Sequence, residues 1–318
     1  MPALARRALL AVPALLAAPR IARAAWPDRP IQLIVPLGAG GGTDLTARTL
    51  AQYLEPELGQ AIAVVNRPGA GGEIGLNAIA EARPDGYTLG IMNTPGVVTL
   101  PIERTPRFNL DSFTYLAGIV EDPGVMAVHP DSPIRDVPGL VAAARAQPGA
   151  VTVATQGAGS SSWLSVRLLE AAAGVQLEPV PYNSAPASVL GLVQRQTVVG
   201  TANLGEGMAM TSQNPWRAVG VMAESRSPLA PELPTFREQG FDVLMGSLRG
   251  LGGPKNMPPE VAARIGAAVA KVMENAEYRA ACQRTSQPLR FMDAATYAAF
   301  LRNEDRRFRS LWTSKPWA

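Results

Sequence analysis

The run Pro36-Leu37-Gly38-Ala39-Gly40-Gly41-Gly42-Thr43-Asp44 follows a short apolar stretch, Ile31-Gln32-Leu33-Ile34-Val35, and is followed by Ala47, Leu50, Ala51 and Leu54 at helical spacing. That order reads as strand, glycine-rich loop, helix. The unit then repeats. Residues 61–65 form a strand candidate, 66–72 a loop, and 73–82 a short helix that stops before the turn Pro84-Asp85-Gly86, with a further strand at 87–92. Strands alternating with helices at this interval indicate a parallel α/β sheet and argue against a β-sandwich.

The same pattern restarts past Ile119, with strands expected at 125–128 and 151–155 around a helix at 139–146. Gln156-Gly157-Ala158-Gly159-Ser160-Ser161-Ser162 then opens a helix that places Leu164, Leu168, Ala171 and Ala172 on one face. Further strands are expected at 197–202 and 218–222, with a helix at 186–194. The C-terminal part reads as helical, with a stripe of Val261, Ile265, Ala268, Val269 and Val272 and a last charged helix over 294–312. A chain of 318 residues that is 47% hydrophobic can fill two medium cores.

In a parallel sheet, ligands gather beyond the carboxyl ends of the strands, where loops feed helix N-termini. Unpaired N–H groups and the positive end of the helix dipole favour an anion there, and glycine lets the backbone approach it. Three loops fit this chemistry: 38–44, 69–72 and 157–162. A nucleotide does not suit the first of them. Counting G-x-G-x-x-G from Gly38 places Thr43 where the third glycine belongs, and no lysine for a P-loop precedes Lys255. A serine hydrolase is equally unsupported, because His129 is the single histidine and Ser160 to Ser162 stand where hydroxyls cap helices. Asp44, in a first helical turn and four residues before Arg48, is placed for an i,i+4 ion pair.

The N-terminus carries Arg6 and Arg7, an apolar run from Ala8 to Ala18 and the small-x-small sequence Ala22-Arg23-Ala24, the layout of a cleaved export signal over residues 1–24. The run is shorter than the roughly 20 residues a bilayer span needs and is interrupted by Pro13. The paired arginines suit either a general secretory or a twin-arginine signal. Removing the signal takes four arginines and no acid, so Lys plus Arg falls from 29 to 25 against 26 acidic residues and the net charge from +3 to −1. The high pI thus belongs to the signal, and no nucleic-acid footprint remains. Cys282 is the single cysteine, which excludes an intrachain disulfide and, with one histidine, a zinc cluster.

Pro36 to Asp44, with Ala47-Arg48, resembles the first signature of the tripartite tricarboxylate transporter receptors, also called the Bug family. Asn66-Arg67-Pro68-Gly69-Ala70-Gly71-Gly72, then Ile74-Gly75 and Pro84-Asp85-Gly86-Tyr87-Thr88-Leu89, resembles the second. Gly157-Ala158-Gly159-Ser160, Val180-Pro181-Tyr182 and Leu233-Pro234-Thr235 are further echoes, so the likeness spans essentially the whole chain after the signal. It implies an α/β, type II periplasmic-binding-protein-like fold: two α/β lobes with a cleft between them, 25–120 plus 248–318 as lobe one and 121–247 as lobe two. Crossings are implied near 118–122 and 245–250. It also implies a periplasmic, monomeric receptor without enzymatic activity, cofactor or metal, which binds a small carboxylate and passes it to membrane permease subunits. A sensory receptor, or an enzyme on the same fold, is the alternative.

The ligand-binding residues implied by the resemblance are Gly38, Ala39, Gly40, Gly41, Thr43 and Asp44 in the first loop, and Arg67, Pro68, Gly69, Ala70 and Gly71 in the second. Thr94 completes lobe one; Thr155, Gly159, Ser160, Ser161, Tyr182 and Asn203 are implied from lobe two. Lobe two departs from the family pattern. Trp163 stands where histidine is common, Val198 and Val199 where an aspartate is frequent, and Leu248-Arg249-Gly250 where an aromatic is usual. The expectation is a retained carboxylate clamp and an altered specificity end that has lost an acid able to hold an amine. Arg249 is either a partner for a second ligand acid or a hinge arginine paired to an acid of one lobe.

Overall fold

The computed structural model describes residues 26–182, 184–211, 215–314 and 316–317, and the expected signal over 1–24 lies outside them. In chain order the elements are β1 (Ile31–Val35), α1 (Gly42–Leu58), β2 (Ile62–Asn66), α2 (Glu73–Ala80), β3 (Thr88–Asn93), α3 (Gly96–Glu103), β4 (Phe113–Val128), α4 (Val137–Ala146), β5 (Thr152–Thr155) and α5 (Ser161–Ala173). They continue with β6 (Glu178–Pro181), α6 (Ala185–Val193), β7 (Val199–Asn203), α7 (Leu204–Thr211), β8 (Arg217–Val221), β9 (Gly246–Pro254), α8 (Pro259–Glu274), α9 (Ala276–Arg284), β10 (Leu289–Asp293) and α10 (Ala294–Ser314).

The opening stretch folds as its residues dictate. Four of the five β1 residues are buried, as a parallel strand covered on both faces requires. Helix α1 lays Ala47, Leu50, Ala51 and Leu54 against the sheet and stops at Gly59, whose left-handed φ of 75° lets its N–H reach the Glu55 carbonyl. β1 lies between β2 and β3, all parallel, in exact step with the alternating units read from the sequence.

Two strands tie this α/β unit to a second one. The sheet runs in the order β2-β1-β3-β9-β4-β7-β5-β6, with β8 and β10 also paired to β4. β4 is a single strand of 16 residues where the sequence suggested only 125–128. Its first part pairs with β9 from Phe113 to Pro123, and its last five residues pair with β7 on one side, while Val125 to Val128 also meet β8. The result is a two-lobe mixed α/β fold. β9 escaped the sequence reading because glycine is a weak strand former. Its glycines instead make room: a Cβ at Gly252 would come within 2.9 Å of Met92 Cε, and one at Gly250 would collide with the Tyr297 ring. Helix α10 explains that crowding, since Tyr297, Leu301 and Phe308 are buried against the sheet and Arg307 donates to the Leu244 carbonyl at 2.6 Å.

Candidate functional site

Because β1, β2 and β3 are parallel, their carboxyl ends share one edge. β7 runs antiparallel to β4, and β5 and β6 run with β7, so the carboxyl ends of β5, β6 and β7 point back toward that edge. The glycine-rich loops of both lobes therefore face one another.

In the first loop, Gly38, Ala39, Gly40 and Gly41 are exposed. Gly41 is the N-cap of α1, and among the described residues no side chain caps it. Thr43 donates to Asn93 Oδ1 at 3.2 Å. Asp44 is turned away from solvent to brace the loop: its carboxylate accepts from Gly40 N at 2.9 Å, Arg48 Nε at 3.0 Å and Asn66 Nδ2 at 2.9 Å. Burial pushes the Asp44 carboxyl up, but these donors outweigh it and hold it below its ordinary 3.8. The ion pair with Arg48 read from the spacing is present.

In the second loop Arg67, Pro68, Ala70 and Gly71 are exposed. Gly69, Ala70, Gly71 and Gly72 all have positive φ, of 133°, 48°, 67° and 103°. A sustained left-handed run of this kind is open to glycine and costly for Ala70. Arg104 supports it by donating to the Ala70 carbonyl at 2.6 Å and pairing with Glu73 at 2.9 Å. Helix α2 starts at Gly72 with no side-chain cap among the described residues, and the same is true of α3 at Pro95. The two starts converge, because a Cβ on Gly96 would lie 3.6 Å from the Gly71 carbonyl oxygen.

The other expected residues are buried or half-buried. Thr94 is buried, and its hydroxyl accepts from Leu248 N at 2.7 Å. Thr155 is fully buried beneath the third loop. Gly159 has φ 74°; Ser160 donates to Gly157 O at 2.6 Å and caps α5 by accepting from Trp163 N at 3.2 Å, while Ser161 is half-buried. The Tyr182 hydroxyl donates to Gln196 at 3.1 Å and packs over Gly191. Asn203 is buried, its Nδ2 donates to Ser247 Oγ at 3.1 Å, and its Oδ1 has no partner among the described residues.

The sequence reading did not anticipate a buried charge cluster where β4 and β9 pass between the lobes. Arg249 is 2% exposed; its Nη2 meets Glu206 Oε1 at 2.6 Å and its Nη1 lies 3.7 Å from Asp122 Oδ2. Of the two readings of Arg249, the structure bears out the pairing to the chain's own acid, here Glu206 of α7. Asp122 accepts from Gly205 N at 2.8 Å, and burial pushes its carboxyl up to about 7, against the pull of Arg249 and with a further push from Glu206. A Cβ on Gly42 would come within 2.5 Å of Arg249 Nη2 and would collide with Glu206. The single signal for Glu206 was its place just after a strand end, in the first turn of the helix that follows. Its pairing needed the fold. Val198, by contrast, sits at the start of β7 beside Thr152, at the other end of the strand from Asn203.

Among the described residues of this constellation, none is a nucleophile paired with a base. His129 Nδ1 accepts from Asp131 N at 3.2 Å, and burial pushes the Cys282 thiol up to about 11. Among the described residues no group of three or more His, Cys, Asp or Glu side chains is placed to hold a metal.

Residues 46–314 match the profile of the tripartite tricarboxylate transporter family receptor. The chain is 30% identical over 240 residues to BugT of Bordetella pertussis, covering 74% of each chain. Among solved structures it is similar to a TctC solute-binding protein from Polaromonas, with 30% identity, a TM-score of 0.77 and coverage of 91% of this chain and 100% of the other. It is also similar to Rpa4515 of R. palustris with adipate, at 25% identity, a TM-score of 0.82 and coverage of 91% and 97%.

Proposed function

Since the chain belongs to the tripartite tricarboxylate transporter receptors, a family of solute-binding proteins and not of enzymes, we propose that it is an exported periplasmic receptor that closes two lobes on a small carboxylate and delivers it to a membrane permease. The observation that carries the reading is the pair of glycine-lined loops at the carboxyl ends of β1 and β2, whose helices α1 and α2 begin with no side-chain cap among the described residues. Such amides are fixed before the ligand arrives, so little ordering cost falls on binding. The adipate in the R. palustris neighbour supports the ligand class.

In this reading Gly38, Ala39, Gly40, Gly41, Arg67, Pro68, Gly69, Ala70 and Gly71 touch the ligand from lobe one, and Thr43, Asp44 and Thr94 hold those loops in shape. Gly159, Ser160, Ser161, Tyr182 and Asn203 meet it from lobe two over Thr155. Lobe one comprises 25–120 and 248–318, and lobe two 121–247, with β4 and β9 as the two crossings. The receptor acts as a monomer after loss of residues 1–24, and ligand shifts the population toward closure by binding that form better. Isothermal titration against a panel of small acids, with Gly41→Leu as control, tests the site. Saturable heats that vanish in the variant are expected; heats that the substitution leaves unchanged would sink it.

A further inference from the structure

Helix starts that face the cleft are the natural seats for anions, and in this chain several of them already have one of its own side chains bonded to them or lying beside them. At α1, where no side chain among the described residues caps the helix, the Glu206 carboxylate nonetheless lies against Gly42 and is fixed there by Arg249 at 2.6 Å. At α7, the Gly205 amide donates to Asp122. The loop before α5 receives Glu103 of lobe one, whose carboxylate would collide with any Cβ on Gly159 and accepts from Trp317 Nε1 at 2.5 Å, while Ser160 caps the helix itself. Helix α6 is capped by Ser184. The place where the uncapped starts of α2 and α3 converge beside Gly71 has no such carboxylate against its glycines among the described residues.

The hinge end of the cleft is thus supplied with acceptors. Glu206 sits beside the start of α1 and against the buried Arg249 guanidinium. Its side chain keeps 17% of its surface exposed. At the end of β7, immediately before the helix that carries Glu206, the buried Asn203 Oδ1 lacks a donor among the described residues. A second ligand carboxylate brought to this end would meet a fixed negative charge and an acceptor oxygen, and would leave Asn203 Oδ1 unsatisfied. A hydroxyl, amide or ammonium group would supply the donor.

We propose that Glu206, clamped by Arg249 at the start of α1, is a specificity-determining residue that rejects a second carboxylate, so that the cleft takes a small monocarboxylate whose other end is a hydrogen-bond donor. This rests on the carboxylate reading given above. It replaces the expectation that the specificity end has lost its acid, since Glu206 brings one from a different element.

The test compares ligands that differ only at one end: succinate with succinamate, glutarate with glutaramate, and adipate with its monoamide, titrated calorimetrically at pH 8 and low salt. The full-length protein is expected to bind the monoamide of at least one pair about tenfold tighter than the diacid, roughly 1.4 kcal/mol. Glu206→Gln is expected to tighten diacid binding about tenfold, leave the monoamide little changed and so collapse the ratio. Because that variant leaves Arg249 less well paired, circular dichroism and thermal melting check its folding, and the double variant Glu206→Gln with Arg249→Gln, which removes both charges, is expected to show the same collapse. A wild-type preference for diacids, or a ratio that folded variants do not alter, overturns the inference while the carboxylate reading stands. If neither member of any pair binds any of the proteins, the carboxylate reading falls and this inference with it.

Discussion

Gly42 has an ordinary backbone, so space and not conformation makes it glycine. A methyl group there has Arg249 Nη2 at 2.5 Å and the Glu206 carboxylate closer still. Both neighbours are held, Arg249 by burial at 2% exposure and Glu206 by the ion pair, so neither can swing aside as a surface side chain would. Gly42→Ala is therefore expected to cost about 1–3 kcal/mol, as overpacking does, read as a lower urea midpoint. Glu206→Ala added to it should recover part of that loss; additive losses would show that the methyl group does not meet Glu206. Asp44 works differently. It stabilises the first loop through three donors while ionised, and because its carboxyl is held below 3.8 that contribution is present above pH 4 and fades only as pH falls further.

At the scale of elements, β4 and β9 join the two α/β units, and the buried charged side chains on them are Asp122 and Arg249, Glu121 being partly exposed and paired with Arg290. The folded chain holds a proton on Asp122 up to about pH 7, whereas the unfolded chain releases it near 3.8. Between those values the folded state binds more protons, so stability declines as pH rises from about 4 to about 7 and levels off above. Burial raises Glu103 and Glu304 as well, which adds to the same slope near its acidic end. Asp122→Asn still accepts from Gly205 N but cannot ionise. It is expected to flatten the part of the profile that extends to pH 7, an effect of a few kcal/mol at most, measured as urea unfolding free energy from pH 4.5 to 8. An unchanged profile would mean that Asp122 is ionised throughout.

At the scale of the whole molecule, the lobes touch where each presents a glycine to the other's carboxylate, Gly42 to Glu206 and Gly159 to Glu103. A ligand that binds only between them stabilises the folded, closed form. At 100 times its dissociation constant it should add about 2.7 kcal/mol to the unfolding free energy and raise the melting temperature in step with its concentration. Small-angle scattering should record a smaller radius of gyration in the presence of ligand. A melting temperature that rises while the radius stays constant would place binding on one lobe and exclude closure as the mechanism.

The alternation of strand, glycine loop and helix was legible in the sequence because it depends on local properties: β1 is apolar, α1 has a 3.6-residue stripe, and left-handed turns at Gly59 or Gly69 need glycine. From this came the α/β class, both lobe-one loops and the Asp44–Arg48 pair, while the family came from the resemblance of the loop motifs. β9 was not legible as a strand, because its glycines answer to side chains on other elements, such as Tyr297 of α10 and Met92 of β3. Nor were α3, which carries Pro101 inside it, and α7. The meeting of Asp122, Glu206 and Arg249 lay beyond any periodicity, since residues 84 and 43 positions apart are joined only when β4, α7 and β9 come together. The sequence thus determined that glycine-lined loops feed helix starts at the carboxyl ends of the strands, through backbone chemistry that each loop carries by itself. Tertiary structure alone decided which helix starts the chain's own carboxylates reach, because those distances are set by how one lobe packs on the other.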